Sequence, residues 1–181
     1  MRTVLGISLA LAASGMAMAA CPPHTPDAER RAELFASLAA APDEATAREI
    51  SFAIRRFWSE APDAKAQALL DHIYDRRRWQ DLEAAEEASR ELTAYCPDYA
   101  EGWNQLATVL FYRERYDASL DAIIRTLELE PDHFGALAGR GVILMQQGRV
   151  ALGQIALREA VALYPLMSER HLLIPEPGQK L

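Results

Sequence analysis

The chain has 181 residues, with 19 Lys+Arg against 26 Asp+Glu and a formal net charge of −7. Half of the residues are apolar and a quarter are charged, an ordinary globular composition that excludes a disordered or fibrous chain. The acidic balance argues against nucleic acid as a partner, and two cysteines are too few for a disulfide-built scaffold or a four-ligand zinc site.

Residues 1–19 have the order of a secretory signal peptide: Arg2, an apolar and small stretch from Val4 to Met18, then Ala17-Met18-Ala19 as an A-x-A cleavage pattern. The apolar run falls short of the roughly 20 residues that span a bilayer, and no other run of this kind follows, so no transmembrane segment is expected in the mature chain. Residues 20–26 read as a linker. Cleavage after Ala19 leaves an exported, periplasmic chain. Alternatively, Met18-Ala19-Ala20-Cys21 resembles a bacterial lipoprotein processing site, with Cys21 carrying a lipid anchor. In an exported chain Cys21 and Cys96 form an even pair in an oxidising compartment, and a disulfide between them is expected.

Residues 27–61 are expected to form a helix pair. Asp27 to Ala40 carries Leu34, Phe35 and Leu38 on one stripe. Pro42-Asp43 breaks it, and Glu44 to Glu60 presents Ile50, Ala53, Ile54, Phe57 and Trp58 at helical spacing. The pair is expected to cap the following array by stacking on its first unit. The alternative places one of these helices in the groove of the array.

From residue 64 to 165 the chain is periodic. Proline falls at positions 62, 97, 131 and 165, spaced by 35, 34 and 34 residues, and Asp follows the first three. A Pro ends one helix and the Asp is placed to cap the next. Each unit (64–97, 98–131 and 132–165) breaks near its middle, at Arg78-Trp79-Gln80, Arg113-Glu114-Arg115 and Gln147-Gly148-Arg149. The pattern is therefore helix, turn, helix, three times over, in an all-α solenoid. Beyond it, residues 166–181 read as a short cap, Leu166 to Leu173, and a flexible tail.

Residues 100–133 carry Trp103, Leu106 and Ala107 in the first helix, Tyr116 after the turn, Ser119, Ile123 and Thr126 in the second, and Pro131 at the close. Residues 134–167 match through Leu137, Gly141, Gly148, Gly153, Leu157, Ala160 and Pro165. Residues 66–99 match through Leu69, Ala85 and Pro97, with His72 and Ile73 where a Leu-Gly pair is usual. In these positions the chain resembles the tetratricopeptide repeat (TPR) family, whose unit is a 34-residue helix–turn–helix. The small residues let paired helices approach, Trp103 stands where the family buries a structural aromatic, and about three units are needed for a continuous core.

Chemistry-bearing patterns are sparse. No His-x3-His, His-Glu-x-x-His, Gly-x-Ser-x-Gly or phosphate loop occurs. Asp71, His72 and Asp75 share a helix face and form a weak metal candidate, weighed against a solvated surface. Cys96 lacks a neighbouring base in the sequence and is read as structural. No catalytic residue, metal ligand or cofactor is assigned.

The resemblance implies a concave surface built from the first helices of successive units, where peptides or helices bind. By position it offers Gln67, Leu70, Tyr74, Arg77 and Arg78 from the first unit, Glu101, Asn104, Thr108, Phe111 and Tyr112 from the second, and Ala138, Val142, Met145 and Gln146 from the third. Tyr74, Arg77, Arg78, Asn104, Thr108, Phe111, Tyr112 and Met145 form the candidate peptide groove, since aromatic and Arg side chains carry most binding hot spots. The carboxylate clamp of some family members has no counterpart here, because Leu70, Tyr74, Gln105, Gly135 and Gly139 stand at its positions. The expectation is a non-catalytic, periplasmic adaptor or scaffold for a protein or peptide partner. The alternatives are an envelope lipoprotein or self-associating structural protein, and, further off, a metal-dependent enzyme.

Overall fold

The structure is a computed structural model that describes residues 20–175. Among these residues there are eight α-helices and no strand: α1 (Ala28–Ala39), α2 (Glu44–Trp58), α3 (Ala64–Arg78), α4 (Leu82–Tyr95), α5 (Ala100–Tyr112), α6 (Tyr116–Leu129), α7 (Phe134–Gln146) and α8 (Val150–Leu163). A 3-10 turn, Ser168–Leu172, follows. The leader read from residues 1–19 and the tail from 176 onward lie outside the described residues.

The period shows in the turns. Gln80, Glu114 and Gly148, 34 residues apart, all have positive φ (58°, 57° and 76°). Each lets the chain leave one helix and turn into the next. The residue after each donates its N–H back into the helix, from Asp81 to Arg76, Arg115 to Leu110 and Arg149 to Leu144. This is the left-handed helix stop, for which Gly carries no steric cost and Gln80 and Glu114 carry some.

The helix starts differ from expectation. Asp63 caps α3, accepting from Ala66 N–H, and Asp81, Asp43 and Asp27 cap α4, α2 and α1 in the same way. Asp98 and Asp132 do not cap. The second and third units have one more residue between Pro and helix than the first, so Tyr99 and His133 occupy the cap positions. His133 does the work of an Asp: its Nδ1 accepts from Ala136 N–H at 3.0 Å.

α3–α4, α5–α6 and α7–α8 are the three hairpins, with α4 against α5 and α6 against α7. The core of the first unit is Ala66, Leu70, Ile73, Ala85, Leu92 and Tyr99. The second unit and part of the third share Leu106, Ala107, Leu110, Ile123 and Ile143. Ser119 Oγ donates to the Ala107 carbonyl at 2.7 Å, tying α6 to α5. In the third unit small residues bring helices together: a Cβ on Gly153 would stand 2.7 Å from the Gly141 carbonyl oxygen. Tyr116 packs on the second core, and Pro131 and Pro165 lie exposed just past the ends of α6 and α8. Trp103 is only partly buried, unlike the structural aromatic expected. Its Nε1 donates to the Pro97 carbonyl at 2.9 Å and its ring lies under the Arg125 guanidinium.

The N-terminal helix pair does not stack on the first unit. Leu38, Ala47, Ile54, Phe57 and Trp58 form one core with Phe134, Leu137 and Ala138 of α7 and Ala160, Tyr164 and Met167 at and beyond α8. Trp58 stacks on His133 with centroids 3.9 Å apart and lies 4.9 Å from Phe134. Arg31 bridges to Glu130 and Asp132, and Arg170 to Glu44. The pair packs instead along the third unit, because the aromatic face it must bury meets its match at Phe134 and Tyr164. Its last residues touch the other units: Tyr99 OH donates to the Trp58 carbonyl at 2.9 Å, and Ser59 Oγ lies 2.9 Å from Tyr74 OH.

A disulfide joins Cys21 to Cys96 across 75 residues. It pins the segment before α1 to the end of α4, beside Tyr99, whose ring meets His24 edge-on at 5.0 Å.

Candidate binding groove

At the base of the inner surface lies a buried carboxylate. Glu101, in the first turn of α5, is 5% exposed. It accepts from Gln105 Nε2, from Asn104 Nδ2 at 3.1 Å, and from Tyr74 OH at 3.2 Å. Because His133 Nδ1 accepts from a backbone N–H, its Nε2 carries the proton and donates to Glu101 Oε2 at 3.2 Å. Burial pushes the Glu101 carboxyl up, but the bonds from His133, Gln105 and Asn104 outweigh it and hold it below its usual value. Burial, with the Glu101 charge beside it, raises the Tyr74 hydroxyl strongly, so Tyr74 stays protonated. Arg77 Nη1 donates to Gln105 Oε1.

This network engages three of the eight groove residues. Tyr74, Arg77 and Asn104 join α3, α5, α7 and the end of α2 into one polar unit, with Tyr74 sharing its hydroxyl with Ser59. Their primary contacts are within the protein.

Beside the network is a cavity of about 270 Å³. Asn104, Thr108, Phe111 and Tyr112 of α5 form one wall. Gly135, Gly139 and Val142 of α7 form the other, and Arg55 of α2 and Met167 and Glu169 of the last turn close its ends. Asn104 uses its Nδ2 on Glu101, leaving its Oδ1 as an acceptor. Thr108 Oγ1 donates to the Asn104 carbonyl at 2.8 Å. Phe111 and Tyr112 meet at 5.6 Å, and Tyr112 is 56% exposed. A larger and more open depression of about 500 Å³ lies on the far side of Tyr112, lined by Tyr74, Arg77, Arg78, Gln80 and Leu82. The Arg77 guanidinium stands 5.8 Å from the Tyr112 ring centre. Tyr112 is the wall common to both.

Met145 is elsewhere. It turns toward α8, where Gln154 Nε2 lies 3.1 Å from its sulfur and Gly153 makes room for it. Val142, one turn earlier, faces the cavity in its place. Arg55, Met167 and Glu169 were outside the sequence reading, since they reach the site only through the docking of α1–α2 and the fold-back after α8. Asp71, His72 and Asp75 are exposed on α3, with Asp71 accepting from Gln67. Among the described residues, no group of three or more His, Cys, Asp or Glu side chains is placed to hold a metal ion.

No family model matches the chain. A curated TPR repeat-containing protein of Rhizobium etli is 33% identical over 141 residues, which is 76% of this chain and 67% of that protein. The chain belongs to the TPR repeat proteins.

Part of its inner surface is already occupied by the chain itself. The array's own N-terminal pair covers the third unit, and a buried Glu–His–Tyr network fills the space between units. Leu70, at a position of the family's carboxylate clamp, is fully buried, and Gln105 is committed to Glu101 and Arg77. Tyr112 remains exposed on this surface. No helix among the described residues is long and apolar enough to cross a membrane.

Proposed function

We propose that this TPR protein is a non-catalytic adaptor of the bacterial periplasm that binds a short peptide segment of a partner in the cavity between α5 and α7. The observation that carries the reading is the cavity itself. Phe111, Tyr112 and Val142 offer an apolar slot, Asn104 Oδ1 a hydrogen-bond acceptor for a peptide N–H, and Gly135 and Gly139 a floor with no Cβ. Two aromatic side chains on one wall and a few polar groups are what a peptide anchor needs. The cavity takes one or two side chains rather than a long helix, because α1–α2 already cover the neighbouring surface. The periplasmic assignment is supported by the leader-like residues 1–19 and by the Cys21–Cys96 bridge, which needs an oxidising compartment. The bridge also uses the sulfur that a lipid anchor on Cys21 would require.

The test is capture from envelope extract with the wild-type chain and with Val142→Arg, which fills the slot from its wall. Melting temperature reports whether the variant is folded. A partner retained by wild type and lost by folded Val142→Arg supports the reading. A partner retained equally by both overturns it.

A further inference from the structure

Away from the groove, arginines of this chain pair with acids. Arg30 meets Glu60, Arg31 meets Glu130 and Asp132, Arg76 meets Asp81, Arg125 meets Glu128, and three arginines converge on Glu86. The groove departs from this pattern. Arg55 lines the cavity and Arg78 lines the depression beyond Tyr112. Both are exposed, and among the described residues neither has a carboxylate within ion-pair distance. Arg55 lies over the Phe134 ring, 5.6 Å from its centre. Beside Arg78, Arg77 Nη1 is bonded to the neutral Gln105 and its Nε has no partner. No Asp or Glu lines that depression.

A third hollow, of about 290 Å³, adjoins the cavity on its α2 side and shares Arg55, Met167 and Glu169 with it. Arg48 lines this hollow and also has no carboxylate within ion-pair distance among the described residues. Arg48, the exposed Phe52 and Arg55 lie on one face of α2, spaced by four and three residues. Together the three hollows are lined by five arginines and two glutamates, a local charge of +3 in a chain of net charge −7. Both glutamates are engaged. Glu44 holds Arg170, and Glu169 accepts from Ser168 Oγ at 2.9 Å. Arg48, Arg55 and Arg78 are therefore cations without a carboxylate, set around an apolar slot.

We propose that the segment bound here is acidic: an extended stretch that seats one apolar side chain among Phe111, Tyr112 and Val142 and carries carboxylates beside it, which meet Arg78 past Tyr112 and Arg55 on the α2 side. This rests on the peptide reading above and adds the chemistry of the partner. A guanidinium presents a fork of N–H groups that a carboxylate meets with two bonds. A basic segment would meet like charge at the same places. The wall along α5 from Asn104 to Tyr112 covers eight residues, about 12 Å by helical rise. Three or four extended residues span that length, so the acids fall within about two positions of the anchor.

The experiment is selection from a library of random peptides, displayed as internal segments so that no free C-terminal carboxylate takes part. The purified full chain is the bait. Folded Val142→Trp, which fills the slot without adding charge, is the counter-selection. Enrichment of Asp or Glu within two positions of an aliphatic or aromatic residue is expected. One enriched peptide is then measured by fluorescence anisotropy. Arg78→Glu and, separately, Arg55→Glu are each expected to weaken it about fivefold and to strengthen the same peptide with Lys in place of its acids. Arg78→Gln gives a smaller loss of the same sign. Arg56→Glu, at an exposed α2 position that lines none of the three hollows, changes the net charge equally and leaves both affinities unchanged. Slot-dependent peptides that carry Gln or Lys beside the anchor overturn the acidic inference and leave the peptide reading standing. Affinities that Arg78→Glu and Arg55→Glu leave unchanged also overturn it. A library that yields nothing, or nothing that distinguishes wild type from Val142→Trp, overturns both.

Discussion

The first and third units share one 34-residue plan and are held by different means. In the first, Ile73 stands two periods before Gly141, and Ala85 two periods before Gly153, so its hairpin has one small position where the third has two. The first unit is stapled to the chain's beginning by the Cys21–Cys96 bridge, and Glu86 of α4 ties it to the next unit through Arg113 and Arg115. The third has Gly141 and Gly153 in near backbone contact and borrows an aromatic cover, Phe35 and Trp58, from the N-terminal pair. A repeat array can therefore reach continuity by covalent and ionic links in one unit and by close backbone approach in another.

The largest effect should come from cutting the staple. The Cys21→Ser/Cys96→Ser double variant is expected to lose up to about 4–5 kcal/mol, the chain-entropy ceiling for a loop of 75 residues. Chemical denaturation measures it, and a loss near zero would mean that the segment before α1 is held by its contacts alone. The intermediate effect is Gly153→Ala. Its Cβ would meet the Gly141 carbonyl at 2.7 Å and the Met145 side chain at 2.6 Å. Met145 can move but the carbonyl cannot without separating α7 from α8, so about 1–3 kcal/mol should be lost. An unchanged denaturation midpoint would show that the hairpin opens freely and would remove the contrast between the units.

The smallest effect should be electrostatic. Burial raises the Glu86 carboxyl, but Arg90 and Arg115 outweigh it and hold it below its ordinary value. A depressed carboxyl contributes stability above its unfolded pKa, about 4.3, and that contribution is lost as pH falls through the folded value. The melting difference between wild type and Glu86→Gln should therefore be present near neutrality and shrink on acidification below that range. A difference that stays constant with pH would assign the loss to packing.

The periodic part of the molecule was legible because its signals are local. Proline spacing, the turns at residues 80, 114 and 148, and small residues at Ala107, Ser119, Gly141 and Gly153 each act within one hairpin. The two cysteines were also readable as a pair. The groove was legible in part. Thr108, Phe111, Tyr112 and Val142 line the cavity as the register implied, while Met145 turned to α8 because Gly153 leaves it room. Asp98 and Asp132 illustrate how one added residue moves a capping group out of reach and passes the role to His133.

By itself, then, the sequence determined the all-α repeat, its three units, its turns and its cysteine pair, since each depends on residues a few positions or one period apart. Only the tertiary structure decided that the N-terminal helices cover the third unit, that Glu101 and His133 meet across 32 residues, and that Arg55 and Glu169 close the cavity. An amphipathic helix carries in its own residues the need to bury one face. It does not carry which of several distant apolar faces will fit, and that choice belongs to the shape and charge of the assembled array.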